Sequence, residues 1–275
     1  GISIYGLWNY LTGTEASGVP IGGEIYQRLG ATLEHGINCG EFLAMALPIA
    51  LVWALSAKTV SHRIALTVPL LLPCAAILLT YARTGWIMLA LALAVLLWYK
   101  KKILLLPAAA LGIGALFLLP ESIQARFLSM LNFSNTSASG RFILWSECFA
   151  LWKDKWLLGI GLGPENFYAA YAPYATGLLD FQPPHSNMLY LEMFLSTGIL
   201  GGLLFCGFFF GIFVSLRRAV RAIPEPRNRW PAQALIASLA GAALGGIPEY
   251  IWFYPRILFF WCVLFGMALA VSDNN

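Results

Sequence analysis

Long apolar runs separated by short polar links set the rhythm of this chain. A helix needs about 20 mostly apolar residues to cross roughly 30 Å of hydrocarbon. Runs approaching that length occur at about 37–57, 64–82, 85–99, 103–119, 187–215, 231–248 and 256–271. The pattern predicts an all-α polytopic membrane protein with about seven transmembrane helices. Residues 120–184 break the rhythm and carry Glu121, Glu147, Asp154, Glu165 and Asp180. Within them Phe142-Ile143-Leu144-Trp145 and Cys148-Phe149-Ala150-Leu151-Trp152 are spaced for an amphipathic helix, expected at the membrane surface. The predicted order is a lead-in at 1–36, four spans over 37–119, a loop with amphipathic helices over 120–184, and three spans with a short tail over 185–275.

Composition supports lipid as the solvent. The 275 residues are 59% hydrophobic and 11% charged, against roughly 25% charged in an average soluble domain. A globular interior of this size cannot hide so much apolar surface. The chain opens Gly1-Ile2-Ser3 without a methionine, a basic leader or a cleavage site, and is expected to be part of a longer protein with further spans upstream. No basic stripe interleaves with exposed aromatics, so nucleic acid is not an expected partner. Five cysteines, with Cys74, Cys206 and Cys262 inside apolar runs, outline neither a disulfide framework nor a zinc site.

Charge placement gives an orientation. Lys58, Arg63, Lys100, Lys101, Lys102, Arg217, Arg218, Arg221, Arg227 and Arg229 fall in one set of links, whose only acid is Glu225. Short links rich in lysine and arginine stay cytoplasmic. The opposite, extracytoplasmic side then receives residues 1–36, the Arg83 turn, the 120–184 loop and Pro248-Glu249-Tyr250.

Smaller motifs have plain readings. Gly207 with Gly211, and Gly241 with Gly245, are spaced for close helix packing. Gly159-Ile160-Gly161-Leu162-Gly163 has no preceding strand, so a turn is expected there and not a phosphate cradle. Asn132-Phe133-Ser134 and Asn135-Thr136-Ser137 are sequons that matter only in a eukaryotic secretory pathway.

Four polar residues gather on the extracytoplasmic side of this topology. Arg28 precedes the first span, Arg83 sits in a turn between two spans, Arg141 opens the amphipathic helix, and His185 heads the fifth span. A guanidinium at membrane depth costs at least about 2.5 kcal/mol, so Arg83 calls for a partner or a role. Arg28 alone would serve as an interfacial anchor, Arg141 could pair with Glu147, and His185 could cap its span. Together, arginines suit clustered anionic oxygens, which they bind through paired hydrogen bonds. A histidine beside them can exchange a proton near neutral pH. Such a set suffices for glycosyl transfer from a lipid pyrophosphate. No metal or other cofactor is required if arginines neutralise the leaving group. Glu192 lies two turns beyond His185, too far for direct contact along a straight helix. Glu249 could pair with Arg256 or touch an acceptor sugar.

Four stretches carry a family resemblance. Arg28-Leu29-Gly30-Ala31-Thr32 with Asn38, then Tyr81-Ala82-Arg83-Thr84-Gly85, then Ser139-Gly140-Arg141-Phe142-Ile143-Leu144-Trp145 with Leu158-Gly159-Ile160-Gly161, then His185-Ser186-Asn187-Met188-Leu189 through Glu192 to Gly198, occur in order. Together they resemble the O-antigen ligase and polymerase superfamily. The resemblance implies transfer of a glycan from undecaprenyl pyrophosphate to an acceptor hydroxyl on a glycan, lipid or protein. It also implies a location at the outer face of a bacterial inner membrane, with membrane lipids around the protein. His185 would be the base, Arg83 and Arg141 would grip the pyrophosphate, and Arg28, Asn38, Asn187 and Glu249 would bind substrate. Two positions depart from the common pattern: Ser186 intervenes before Asn187, and Ala82 stands where serine is usual before the arginine. An anion or lipid-linked glycan transporter using Arg83, and a non-catalytic assembly subunit, are the alternatives. The long outward loop and the lack of visible inverted repeats fit transport poorly.

Overall fold

The computed structural model describes residues 1–14, 17–21, 23–130, 136–179, 181–226 and 228–273. Glu15, Asp180, Arg227 and the sequon asparagines Asn132 and Asn135 lie outside the described residues. The helices are α1 (Ile2–Leu11), α2 (Gly36–Leu55), α3 (Val60–Thr67), α4 (Leu71–Leu79), α5 (Arg83–Lys101), α6 (Leu105–Leu116), α7 (Glu121–Leu128), α8 (Thr136–Lys155), α9 (Pro164–Tyr171), α10 (Leu189–Ala222), α11 (Trp230–Gly245) and α12 (Pro255–Asp273). The lead-in also holds an antiparallel hairpin of β1 (Gly18–Ile21) and β2 (Glu24–Gln27), which the all-α expectation did not contain.

Four stretches among the described residues are long and apolar enough to cross a membrane: Gly36–Leu55, Val60–Leu79, Leu189–Ala222 and Pro255–Ser272. The expectation of about seven such helices is therefore not met: among the described residues four reach that length and apolarity, and α5, α6 and α11 fall short of it. The helix α6 stops at 12 residues and α11 at 16, about 18 and 24 Å at 1.5 Å per residue. The apolar part of α5 is bracketed by Arg83 at its start and by Lys100 and Lys101 in its last turn. The Val60–Leu79 stretch joins α3 to α4 through one tighter turn at Val68–Leu70, where Pro69 removes a backbone donor.

The chain divides into two compact units. The first comprises Gly1–Leu131, Ser215–Gly245 and Tyr254–Asn275. Its core is the mutual packing of α2, α5 and α11 around Val52, Ala92, Leu96, Ala234 and Ala237. Small residues set the spacing: a Cβ on Gly85 would sit 2.7 Å from the Gly40 backbone, and one on Gly241 would sit 2.5 Å from the Met88 carbonyl oxygen. The Ser238 hydroxyl donates to the Met45 carbonyl, adding a polar tie between α11 and α2. The Gly241–Gly245 motif therefore does the packing expected of it. Gly207 and Gly211 do not, since a Cβ on either meets nothing within 4 Å.

The second unit comprises Asn132–Val214 and Gly246–Phe253. Here α8 buries Leu144, Cys148 and Leu151 against Phe167 and Tyr171 of α9 and Leu191 and Leu195 of α10. The helix lies where the periodicity placed it: Leu144, Cys148 and Leu151 of its apolar positions pack on protein, whereas Phe142 and Phe149 stay exposed. Glu147, on the same helix, accepts the Tyr171 hydroxyl, the Thr176 N–H at 2.8 Å and the Thr176 hydroxyl at 2.5 Å. Burial pushes its carboxyl pKa up, but these three donors outweigh burial and leave it below the ordinary value. The buried anion thus clamps the chain after α9 onto α8.

Gly198, at φ 69°, breaks the helical path inside α10. Its break exposes carbonyls that the glycine turn after α8 satisfies: Ile160 N–H donates to Leu195 O at 2.8 Å and Gly161 N–H to Ser196 O at 3.0 Å. In return, Ile199 N–H donates to Trp156 O at 2.7 Å. The Gly159–Gly163 stretch is a turn, as expected, and two of its N–H groups are committed to a broken helix.

Candidate functional site

In the second unit, the turn entering α10 is built on His185. Its Nδ1 accepts the Asn187 N–H at 3.1 Å, so the neutral ring carries its proton on Nε2. Asn187 adopts φ 53° to close this turn. The Ser186 N–H donates to the Glu192 carboxylate at 2.8 Å, so Glu192 holds the histidine turn through its neighbour. The imidazole is 7% exposed. It packs edge-on against Tyr250, with centroids 5.2 Å apart, and against Phe253 at 4.5 Å. Burial lowers its pKa from the ordinary 6.5 to about 4, so the ring is neutral at pH 7. Burial likewise raises the Tyr250 phenol to about 12, with Glu192 contributing.

Arg141 meets the same segment. Its Nη2 donates to Glu249 Oε2 at 2.7 Å in a half-buried ion pair. Among the described residues Arg141 pairs with Glu249 and not with Glu147, and Arg256 pairs with Glu34 at 3.0 Å. The Gly246–Phe253 segment is itself pinned to α10, because the Leu189 N–H donates to Gly246 O at 2.8 Å and to Glu249 O at 3.3 Å. One short segment therefore holds Arg141 through Glu249 and His185 through Tyr250 and Phe253.

In the first unit, arginines gather on the turn between α4 and α5. Arg28, 5% exposed, donates Nε to Thr80 O at 2.8 Å. Arg126 of α7 donates Nε to Tyr81 O at 3.2 Å, and Arg83 donates Nη1 to Ser129 O at 3.3 Å. A carbonyl orients a guanidinium without cancelling its charge. Tyr81 sits at φ 50°, an uncommon conformation for a bulky side chain. Its phenol meets Ser122 at 3.0 Å, and Trp86 Nε1 donates to Ile77 O at 2.8 Å, completing the hold on the turn. Nearby, Asn38 donates to Leu33 O at 3.1 Å and is almost wholly buried. His35 caps α2, its Nδ1 accepting the Ile37 N–H at 3.2 Å.

Of the seven residues singled out in the sequence, Arg141, His185, Asn187 and Glu249 fall in the second unit, and Arg28, Asn38 and Arg83 in the first. The residues missed were Arg126, His35, Glu41, Tyr250 and Phe253. Glu41 carried a usable signal, being a lone acid in the first span and 1% exposed. Arg126 did not, because only folding sets α7 against the turn. Every non-glycine residue with positive φ among those described, namely Ala31, Glu34, Tyr81 and Asn187, lies in one of the three motifs around Arg28–Asn38, Arg83 and His185. Strained backbone of this kind persists where the surroundings over-determine it, commonly at functional turns. Among the described residues no group of three His, Cys, Asp or Glu side chains is placed to hold a metal ion.

These features define a multi-pass helical membrane protein whose arginines and buried neutral histidine are held on structured turns at helix ends. The chain belongs to the O-antigen ligase family: that family's model matches residues 68–206, half of the chain, including Arg83, Arg141 and His185. Membership carries with it membrane glycan transfer of the O-antigen ligase type and a lipid-linked donor with an acceptor. No curated protein matches the chain.

Proposed function

We propose that this protein moves a glycan from a polyprenyl pyrophosphate, of the undecaprenyl type, to an acceptor hydroxyl at the extracytoplasmic face of a bacterial inner membrane. The observation that carries this reading is the Gly246–Phe253 segment, which positions a guanidinium and a neutral imidazole together. In the reaction, the acceptor oxygen bonds to the anomeric carbon while the bond from that carbon to the phosphate oxygen breaks. The electron pair leaves with the lipid pyrophosphate. Arg141 and Arg83 stabilise the charge that develops there; a guanidinium has five donors, of which a carboxylate such as Glu249 uses at most two. Arg28, Asn38 and Asn187 contribute to donor or acceptor binding, and no metal is required.

His185 meets the acceptor hydroxyl. As folded, its Nε2–H is a hydrogen-bond donor, because Nδ1 is engaged by Asn187. For His185 to take the acceptor's proton on Nε2, the Asn187 contact must open and the ring's proton must move to Nδ1. Transfer assays with lipid-linked donor and acceptor test both parts. His185→Ala and Arg141→Ala, at matched expression, are expected to lose about 10²–10⁴-fold in rate. A His185→Gln variant that falls equally far supports the base role; one that keeps more than about a tenth of the rate assigns His185 as donor only. Unimpaired transfer by both alanine variants would remove the assigned roles, and lipid translocation without a new glycosidic bond would favour transport.

A further inference from the structure

A second site, apolar with two arginines, lies in the first unit where α5 ends and α10 finishes. Ala94, Val95, Trp98 and Tyr99 of α5, Leu105 of α6, and Arg217, Val220 and Arg221 of α10 line a groove of about 550 Å³. Arg217 and Arg221 are four residues apart on one helix, hence on the same face and one turn apart. Like charges so placed repel and weaken the helix. Both are exposed, and neither has an ion pair or hydrogen bond among the described residues. Lys101 and Lys102, in the stretch between the lining residues Tyr99 and Leu105, are also exposed, whereas Lys100 is turned onto the Trp230 ring, 2.9 Å from its centroid. An anion between the two guanidinia would convert their repulsion into attraction.

The walls say what kind of anion. Away from the arginines the lining combines the aliphatic Ala94, Val95, Leu105 and Val220 with Trp98 and Tyr99, and Trp98 is 64% exposed. Tryptophan and tyrosine favour the headgroup level of a bilayer, with one edge apolar and one wet. A soluble anion would leave that apolar wall in water.

We infer that this groove binds an anionic glycerophospholipid, its phosphate between Arg217 and Arg221 and an acyl chain along Val95, Leu105 and Val220. The lysine and arginine content of these links makes this the cytoplasmic leaflet. The site is separate from glycan transfer and stands or falls independently of it.

Native mass spectrometry of the full chain, released from nanodiscs of mixed phosphatidylglycerol and phosphatidylcholine, tests this. Phosphatidylglycerol is expected to be retained preferentially. Affinity is expected to drop about fivefold for Arg217→Gln or Arg221→Gln and about 30-fold for the double variant. Arg218→Gln, which does not line the groove, is expected to leave retention unchanged. A second readout leaves the arginines intact: brominated phosphatidylglycerol should quench the fluorescence component removed by Trp98→Phe more than brominated phosphatidylcholine does. Equal retention of the two lipids overturns the inference, as does a loss in Arg218→Gln matching that of the double variant. Displacement of phosphatidylglycerol by inorganic phosphate would also overturn it, in favour of a soluble anion.

Discussion

His35 and His185 precede helices in different units and share one local device. Each accepts the N–H two residues ahead on Nδ1, at 3.2 and 3.1 Å, and each carries its proton on Nε2. Their surroundings differ. His35 is half-buried, and its pKa is lowered by burial first and by the Arg28 charge second. His185 is lowered by burial alone, to about 4, in a box of Tyr250 and Phe253. The same side-chain-to-backbone turn thus caps α2 in one unit and, four residues before α10 begins, holds a buried neutral imidazole in the other, against the segment that carries the partner of Arg141. A motif search for histidine before a helix would rank them alike; the aromatic box and Arg141 separate them.

The sharpest way to break that comparison is to remove each ring. His185→Ala is expected to cost about 10²–10⁴-fold in transfer rate, whereas His35→Ala should cost less than about tenfold and act through the start of α2. Equal losses would show that the aromatic box confers nothing. Acid stability probes the same contrast. A buried neutral histidine stabilises the fold fully above the ordinary pKa of 6.5, and that contribution is lost as pH falls toward about 4. The difference corresponds to about 3 kcal/mol for His185. Thermal melts in nanodiscs between pH 7 and 4 should show the loss in the parent protein and a flatter profile in His185→Gln. By the same shift, the wild-type transfer rate should not fall through pH 6.5 as it would for an ordinary histidine.

Smaller effects separate the units by packing. Gly241→Ala should destabilise by about 1–3 kcal/mol, since its Cβ would strike the Met88 carbonyl. Gly207→Ala should change stability by less than about 1 kcal/mol and in the favourable direction, since alanine is the better helix former and its Cβ meets nothing. Comparable destabilisation in both would show that the motif itself, and not its neighbours, sets the cost. Glu249→Gln should cost about 1 kcal/mol in melting assays, as expected for a half-buried ion pair kept as a hydrogen bond. It should raise the Michaelis constant for donor more than it lowers turnover, because Arg141 is then positioned less tightly.

Membrane character, a helix through Phe142–Trp152, the glycine turn at 159–163 and the family were legible in the sequence. Each rests on local information: the length of an apolar run, a helical period, the absence of a preceding strand, short motifs in order. Span count was not legible to the same degree. Apolar residues at 103–119 and 231–248 promised crossing helices, but helix ends are set by where backbone bonds stop, and α6 and α11 stop early. Nor could the sequence distinguish Gly207–Gly211 from Gly241–Gly245, because a small residue matters only when a neighbouring backbone approaches it.

What the sequence alone determined is the solvent of this protein and the kinds of groups it can bring to chemistry: arginines that stay charged and a histidine that can lose its charge. Only the tertiary structure decided the partners. Arg141 found Glu249, 108 residues away, and His185 found Tyr250 and Phe253, pairings that no local period or spacing encodes. The physical reason is that the environment of a charged or titratable group comes from chain segments remote in sequence, and burial among them sets whether it is charged, neutral or held in place.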